Sequence, residues 1–129
     1  MAINKFPTVR SAYASMTVAE LYAGVILVPA AADRRYTVLD CWVRSTGSFA
    51  TAHVAIGDGT TTVATFLNEG TTNGALLRGG TATTGVATEL LTSLAVNAPI
   101  KVSSDSLEGT ATVLEVYVEY AVSTVMETL

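Results

Sequence analysis

Between residues 53 and 66 the chain reads HVAIGDGTTTVATF, a stretch that holds its single histidine, an aspartate five positions on and a row of threonines. An imidazole can take a proton, a carboxylate can orient the imidazole, and a hydroxyl activated in this way can attack an acyl or phosphoryl centre. Such chemistry needs the groups within about 3 Å of one another. The stretch also contains Asp58-Gly59, flanked by Gly57 and Thr60, a pattern typical of a two-residue hairpin turn. If that turn forms, Gly57 meets Thr60, Ile56 meets Thr61, Val54 meets Val63, His53 meets Ala64 and Thr51 meets Phe66. Val54, Ile56, Thr61, Val63 and Thr65 then share one face, and His53, Ala64 and Phe66 share the other. Five residues of strand separate His53 from Asp58 by about 16 Å, so the pair is no catalytic dyad. His53 is expected on a sheet surface or at an interface, although another carboxylate such as Asp40 is not ruled out as its partner.

Other residues with chemical potential are weaker candidates. Ser104-Asp105-Ser106-Leu107-Glu108 offers oxygens to calcium, but without the alternating acids of a calcium-binding helix–loop–helix it reads as an ordinary turn. Trp42 and Tyr36 could form a sugar-stacking platform, but with Val38 between them they read more simply as interface aromatics. Gly79-Gly80 is not followed by a helix start that would cradle phosphate. No nucleophile elbow, Walker loop or dinucleotide fingerprint occurs. No enzyme activity is expected, and no catalytic, cofactor-binding or metal-binding residue is assigned. The lone Cys41, between Leu39 and Val43, excludes an intrachain disulfide and reads as a small buried apolar residue.

The elements that would carry these residues are mostly strands. GVILVP (24–29) is a continuous apolar run bounded by glycine and proline, expected to be a strand buried on both faces. YTVLDCWVRSTG alternates: Thr37, Leu39, Cys41 and Val43 form a core face. Tyr36, Val38, Asp40, Trp42 and Arg44 form an outward face suited to an interface. Residues 70–85, rich in glycine and threonine, are expected to be a long loop anchored by Leu76 and Leu77. VATELLTSLAV (86–96) fits a helix face or a strand face; its threonines and the following Asn97-Ala98-Pro99 favour strand. PIKVSSD is a short strand and DSLEGT a turn. TVLEVYVEYAV has the cleanest alternation: Leu114, Val116, Val118, Tyr120 and Val122 face one way, and Val113, Glu115, Tyr117, Glu119 and Ala121 the other. Residues 1–20 lack a sustained apolar period and read as an extended N-terminal arm with one helical turn, where Thr17-x-x-Glu20 fits a capping box. Residues 21–129 then form a single domain. Short strands, glycine-rich turns and twenty threonines together predict an all-β antiparallel sandwich or barrel.

Composition limits the function classes. The chain has 129 residues, 14% of them charged and 50% hydrophobic, with a formal net charge of −4. Average domains are about 25% charged, so part of the apolar surface is expected to be covered by another chain. An acidic chain without a basic stripe argues against nucleic acid. The first third holds Lys5, Arg10, Arg34, Arg35 and Arg44, while the last quarter holds Asp105, Glu108, Glu115, Glu119 and Glu127. Copies packed head to tail could use that asymmetry. LYAGVILVPAAA (21–32) is too short to span a membrane and contains Pro29. Its VPAAA resembles a signal-peptidase site, but the adjacent Glu20 and the long polar lead-in speak against a signal peptide.

The series GVILVPAAADRRYTVLDCWVRSTG, AHVAIGDGTTTVATF and LAVNAPIKVSSD, closing with GTATVLEVYVEYAV, resembles the small β-sandwich structural proteins of tailed bacteriophages. The resemblance covers roughly residues 22 to 123 and lies in the strand–proline–strand opening with its tryptophan and in the closing VYVEYAV. It implies a jelly-roll-like fold and a non-enzymatic virion role, as in head decoration (cement) proteins, which commonly sit as trimers on the capsid. It carries over no site residue. The expected partners are therefore copies of itself in a homotrimer and the major capsid protein, on the exterior of a head assembled in a bacterial cytoplasm, with no cofactor and no membrane. A head- or tail-fibre module that binds a host glycan is the rival expectation.

Overall fold

In a computed structural model of the chain, residues 8–46, 53–67, 76–78, 87–88, 93–104 and 113–124 are described. The elements run β1 (Thr8–Thr17), α1 (Val18–Ala23), β2 (Val25–Val28), β3 (Arg34–Thr46), β4 (His53–Gly57), β5 (Thr62–Leu67), β6 (Leu76–Arg78), β7 (Ala87–Thr88), β8 (Ile100–Ser104) and β9 (Val113–Thr124). They form two sheets, of order β1-β9-β3-β6 and β2-β8-β4-β5-β7. Every strand pair is antiparallel. The fold is an all-β sandwich, as the strand pattern leads one to expect.

β9 organises the first sheet. Its alternation sends Leu114, Val116, Val118 and Tyr120 into the core, while its two edges pair with β1 and β3. Facing them from the second sheet are Val54, Ile56, Phe66, Ile100 and Val102, none of them measurably exposed. Each such side chain contributes roughly 1.5–3 kcal/mol through burial. Leu21 of α1 is also fully buried.

β3 departs from simple alternation. Its register against β9 shifts between Val38 and Asp40, which makes Leu39 the extra residue of a β-bulge. A bulge reverses which side chains face inward. Tyr36 and Val38 therefore point into the core before it, and Cys41 and Val43 after it. The expected core face is correct for Cys41 and Val43. The expected outward placement of Tyr36 and Val38 is wrong for this reason. Asp40 accepts a hydrogen bond from the Cys41 N–H at the bulge, at 2.9 Å.

β2 also differs from expectation. It is an edge strand beside β8 alone, and Ile26 is 59% exposed, so it is not buried on both faces. The segment read as an arm contains β1, which pairs with β9 along its full length. The capping box forms: the Thr17 hydroxyl accepts from the Glu20 N–H, and the Glu20 carboxylate accepts from the Thr17 N–H. The helix ends at Gly24, whose N–H donates to the carbonyls of Glu20 and Leu21. Within the glycine- and threonine-rich stretch, Leu76–Arg78 is a strand rather than loop and pairs with Trp42–Arg44. In the ambiguous segment Ala87–Thr88 is strand, Ser93 bridges to Thr37 and Leu94 is buried. The expected turn at 105–110 lies outside the described residues.

Candidate interaction face

The Asp58 turn closes the β4–β5 hairpin but is wider than expected. Asp58 N–H donates to the Thr61 carbonyl at 3.0 Å. The Asp58 carboxylate accepts from the Thr60 and Thr61 N–H groups, and Gly59 takes the positive φ of 95° that such a turn requires. The register becomes His53↔Leu67, Val54↔Phe66, Ala55↔Thr65 and Ile56↔Ala64, then shifts so that Gly57 faces Thr62. Val63 is the bulged residue. Ala64 and Phe66 thus join Val54 and Ile56 on the buried face, instead of lying opposite them. β4 runs the whole way from His53 to Gly57, so the backbone separates the histidine from Asp58 as the strand arithmetic requires.

Burial raises the Asp58 carboxyl, but N–H donors from Thr61, Thr60, Ala95 and its own backbone outweigh this and hold it below the usual carboxylate range. Its role is to close the turn and tie it to the segment before β8. That segment is fixed in turn to the start of β3: Leu94 N–H donates to Tyr36 O, Asn97 N–H to Arg34 O, and Asp33 N–H to the Asn97 side chain at 2.7 Å. Asp33 and Asn97 both adopt the left-handed conformation, which these two residue types tolerate better than most.

The bulge separates Trp42 from Tyr36, so the two form neither a sugar-stacking platform nor a shared outer face. Tyr36 is buried, donates its hydroxyl to Pro29 O at 2.7 Å, and packs edge-on against Tyr120 with centroids 5.5 Å apart. Trp42 instead belongs to a row across the outer face of the first sheet, since Tyr13, Tyr117 and Trp42 are in register on β1, β9 and β3. Trp42 stacks on Tyr117 with centroids 5.5 Å apart and planes 13° apart, and Tyr13 leans to within 6.3 Å of Trp42. The stacked rings cover each other, leaving less open π-face for a sugar.

Beside this row, Glu115 is the hub of a polar network. It accepts from the Tyr13 hydroxyl at 2.6 Å and pairs with Arg44 at 2.7 Å. The Tyr13 hydrogen bond, then Arg44, hold the Glu115 carboxyl below its ordinary range. The same bond to Glu115, first among its causes, raises the Tyr13 phenol.

The large apolar side chains exposed among the described residues are Val9, Tyr13, Tyr22 and Ile26. All four stand on β1, α1 or β2, consecutive elements at one edge of the sandwich. Sequence reasoning passed over this edge because β1 lacks a sustained apolar period. Its visible signal was the alternation of Val9, Ser11, Tyr13 and Ser15. Among the described residues no cluster of three or more His, Cys, Asp or Glu could hold a metal ion. No helix among them is long and apolar enough to cross a membrane. The calcium candidate beyond Ser104 and the Gly79-Gly80 pair lie outside the described residues.

Chains of solved structures share this architecture. A chain of the Cyanophage Pam1 capsid asymmetric unit matches with 17% sequence identity, covering 94% of this chain and 91% of that one, at a TM-score of 0.53. A chain of the acidic stable capsid structure of Helicobacter pylori bacteriophage KHP30 matches with 14% identity, covering 92% of this chain and 91% of that one, at a TM-score of 0.57. The likeness is one of fold. No protein-family model and no curated protein sequence matches the chain.

Proposed function

We propose that this chain is a capsid decoration protein of a tailed bacteriophage, a homotrimer that binds the exterior of the assembled head and stabilises it without catalysis. The observation that carries this reading is the strand order. Leaving β7 aside, β1-β9-β3-β6 against β2-β8-β4-β5 is the order of an eight-stranded jelly roll, an architecture recurrent in viral capsids. A fold alone assigns no role, so the surface matters as much. An exposed apolar edge and an outer face of mutually stacked aromatics suit protein contact. The glycan-binding rival loses its main support, because Tyr36 is in the core and the faces of Trp42 and Tyr117 cover each other.

Mechanistically, a protein that binds only the assembled lattice stabilises that lattice by linkage, by about 2.7 kcal/mol per site when free protein is at 100 times its Kd. Many copies on one particle add avidity. The proposed capsid contact is the glycine- and threonine-rich stretch 70–85. Heads with and without the protein, compared under heat or osmotic shock, test the reading: decorated heads should survive longer, and equal survival would overturn it. Copy number separates decoration, in the hundreds per particle, from a fibre module present in a few dozen or fewer.

A further inference from the structure

We propose that the edge of β1 that no other described strand pairs with is a strand-to-strand contact between two copies of this chain, antiparallel about a two-fold axis at Tyr13. β1 is ten residues long, pairs in register with β9 without a bulge, and contains one charged residue, Arg10, and no proline. Proteins usually protect a sheet edge with charges, prolines, bulges or very short strands. The opposite side of this sandwich does so, ending in β6 of three residues and β7 of two. Of these protections β1 has only the single charge of Arg10 near one end, and its Val9 and Tyr13 are 58% and 55% exposed.

The occupant is a second copy because the edge is complementary to itself. A two-fold contact requires each residue to suit its mirror position. About Tyr13, the outer-face series Val9, Ser11, Tyr13, Ser15, Thr17 is nearly palindromic in type. Tyr13 meets the partner's Tyr13, each Ser11 meets the partner's Ser15, and each Val9 meets the partner's Thr17, a pairing of two β-branched residues. On the other face Ala12 meets the partner's Ala14, so nothing bulky holds the strands apart at the centre.

Charge agrees with this register. Two antiparallel copies carry their Arg10 side chains to opposite ends of the contact, where they do not repel. The contact belongs to the free chain and does not depend on the capsid reading.

The test uses lysines that the chain's own sheet accepts. Ser11 and Ser15 lie opposite Glu119 and Glu115 of β9, so S11K/S15K gains attraction within the chain while each lysine faces a lysine across the two-fold. In sedimentation, wild-type mass should rise with concentration, by doubling where the base unit is a single chain and by continued growth where it is a trimer with three such edges. S11K/S15K should weaken that step at least tenfold while keeping the wild-type melting curve. S11C mixed with S15C should form a disulfide-linked pair on oxidation, S11C alone should not, and Cys41, fully buried, should not compete. Unchanged association in S11K/S15K would overturn the proposal, as would cross-linking of S11C alone as efficient as the mixture. So would a wild type whose mass never rises with concentration but whose β1 amides become protected when capsid shell protein is added, since the edge would then belong to another chain.

Discussion

Asp58 shows how a residue of catalytic type can be occupied entirely by structure. Its carboxylate holds the N–H groups of Thr60 and Thr61, and these donors, with Ala95, keep it ionised to lower pH than usual against the opposing effect of burial. A carboxyl with a lowered folded pKa contributes stability that is full above its ordinary value and is lost as pH falls through the folded value. Asp58→Asn should therefore cost about 1 kcal/mol at neutral pH. The gap to wild type should narrow as pH drops below the ordinary carboxylate range, read from urea midpoints across a pH series. A gap that stays constant down to low pH would contradict the assignment. Gly57 is a second sensitive position: a Cβ there would lie 2.0 Å from the Thr61 carbonyl oxygen, a backbone atom. Gly57→Ala should lower stability by about 1–3 kcal/mol, measured by chemical denaturation, with the hairpin displaced.

Among the elements, legibility in the sequence tracks how local the determining interaction is. β9 is readable because its alternation is unbroken from Leu114 to Tyr120, and β8 because Ile100 and Val102 repeat on one face. β3 was misread over Tyr36–Val38 because a bulge leaves no mark in its own residues: Leu39 is an ordinary strand former, and only pairing with β9 makes it the extra residue. The β4–β5 turn was located by Asp58-Gly59, but its width depends on a side chain capping two amides, which changed the register and the place of Phe66. β1 was the least readable, since the Tyr13–Glu115 bond joins positions 102 apart in the chain. The exposed edge and the aromatic row were hidden for the same reason. Deleting Leu39 should remove the bulge yet leave Tyr36, Val38, Cys41 and Val43 on one inward face, because the remaining residues then alternate regularly against β9. The deletion variant should keep a cooperative thermal transition; loss of cooperativity would contradict the assignment of Leu39 as the extra residue.

The whole molecule presents different surfaces for different contacts. Its core joins two sheets through close-packed aliphatic and aromatic residues, and its outer aromatic row is braced by Glu115 and Arg44. Among the described residues its exposed large apolar side chains gather on β1, α1 and β2. A trimer whose subunits also meet across two-fold axes would spread as a net over a shell, linking neighbouring trimers as well as binding beneath them. That arrangement suits a chain with 14% charged residues whose described residues leave Val9, Tyr13, Tyr22 and Ile26 exposed. The most direct measurement is the temperature at which purified heads release their genome, followed by dye access, with the protein absent and then added back. Decoration predicts a release temperature that rises with occupancy and saturates when the lattice sites are full. A release temperature independent of the bound protein would contradict it.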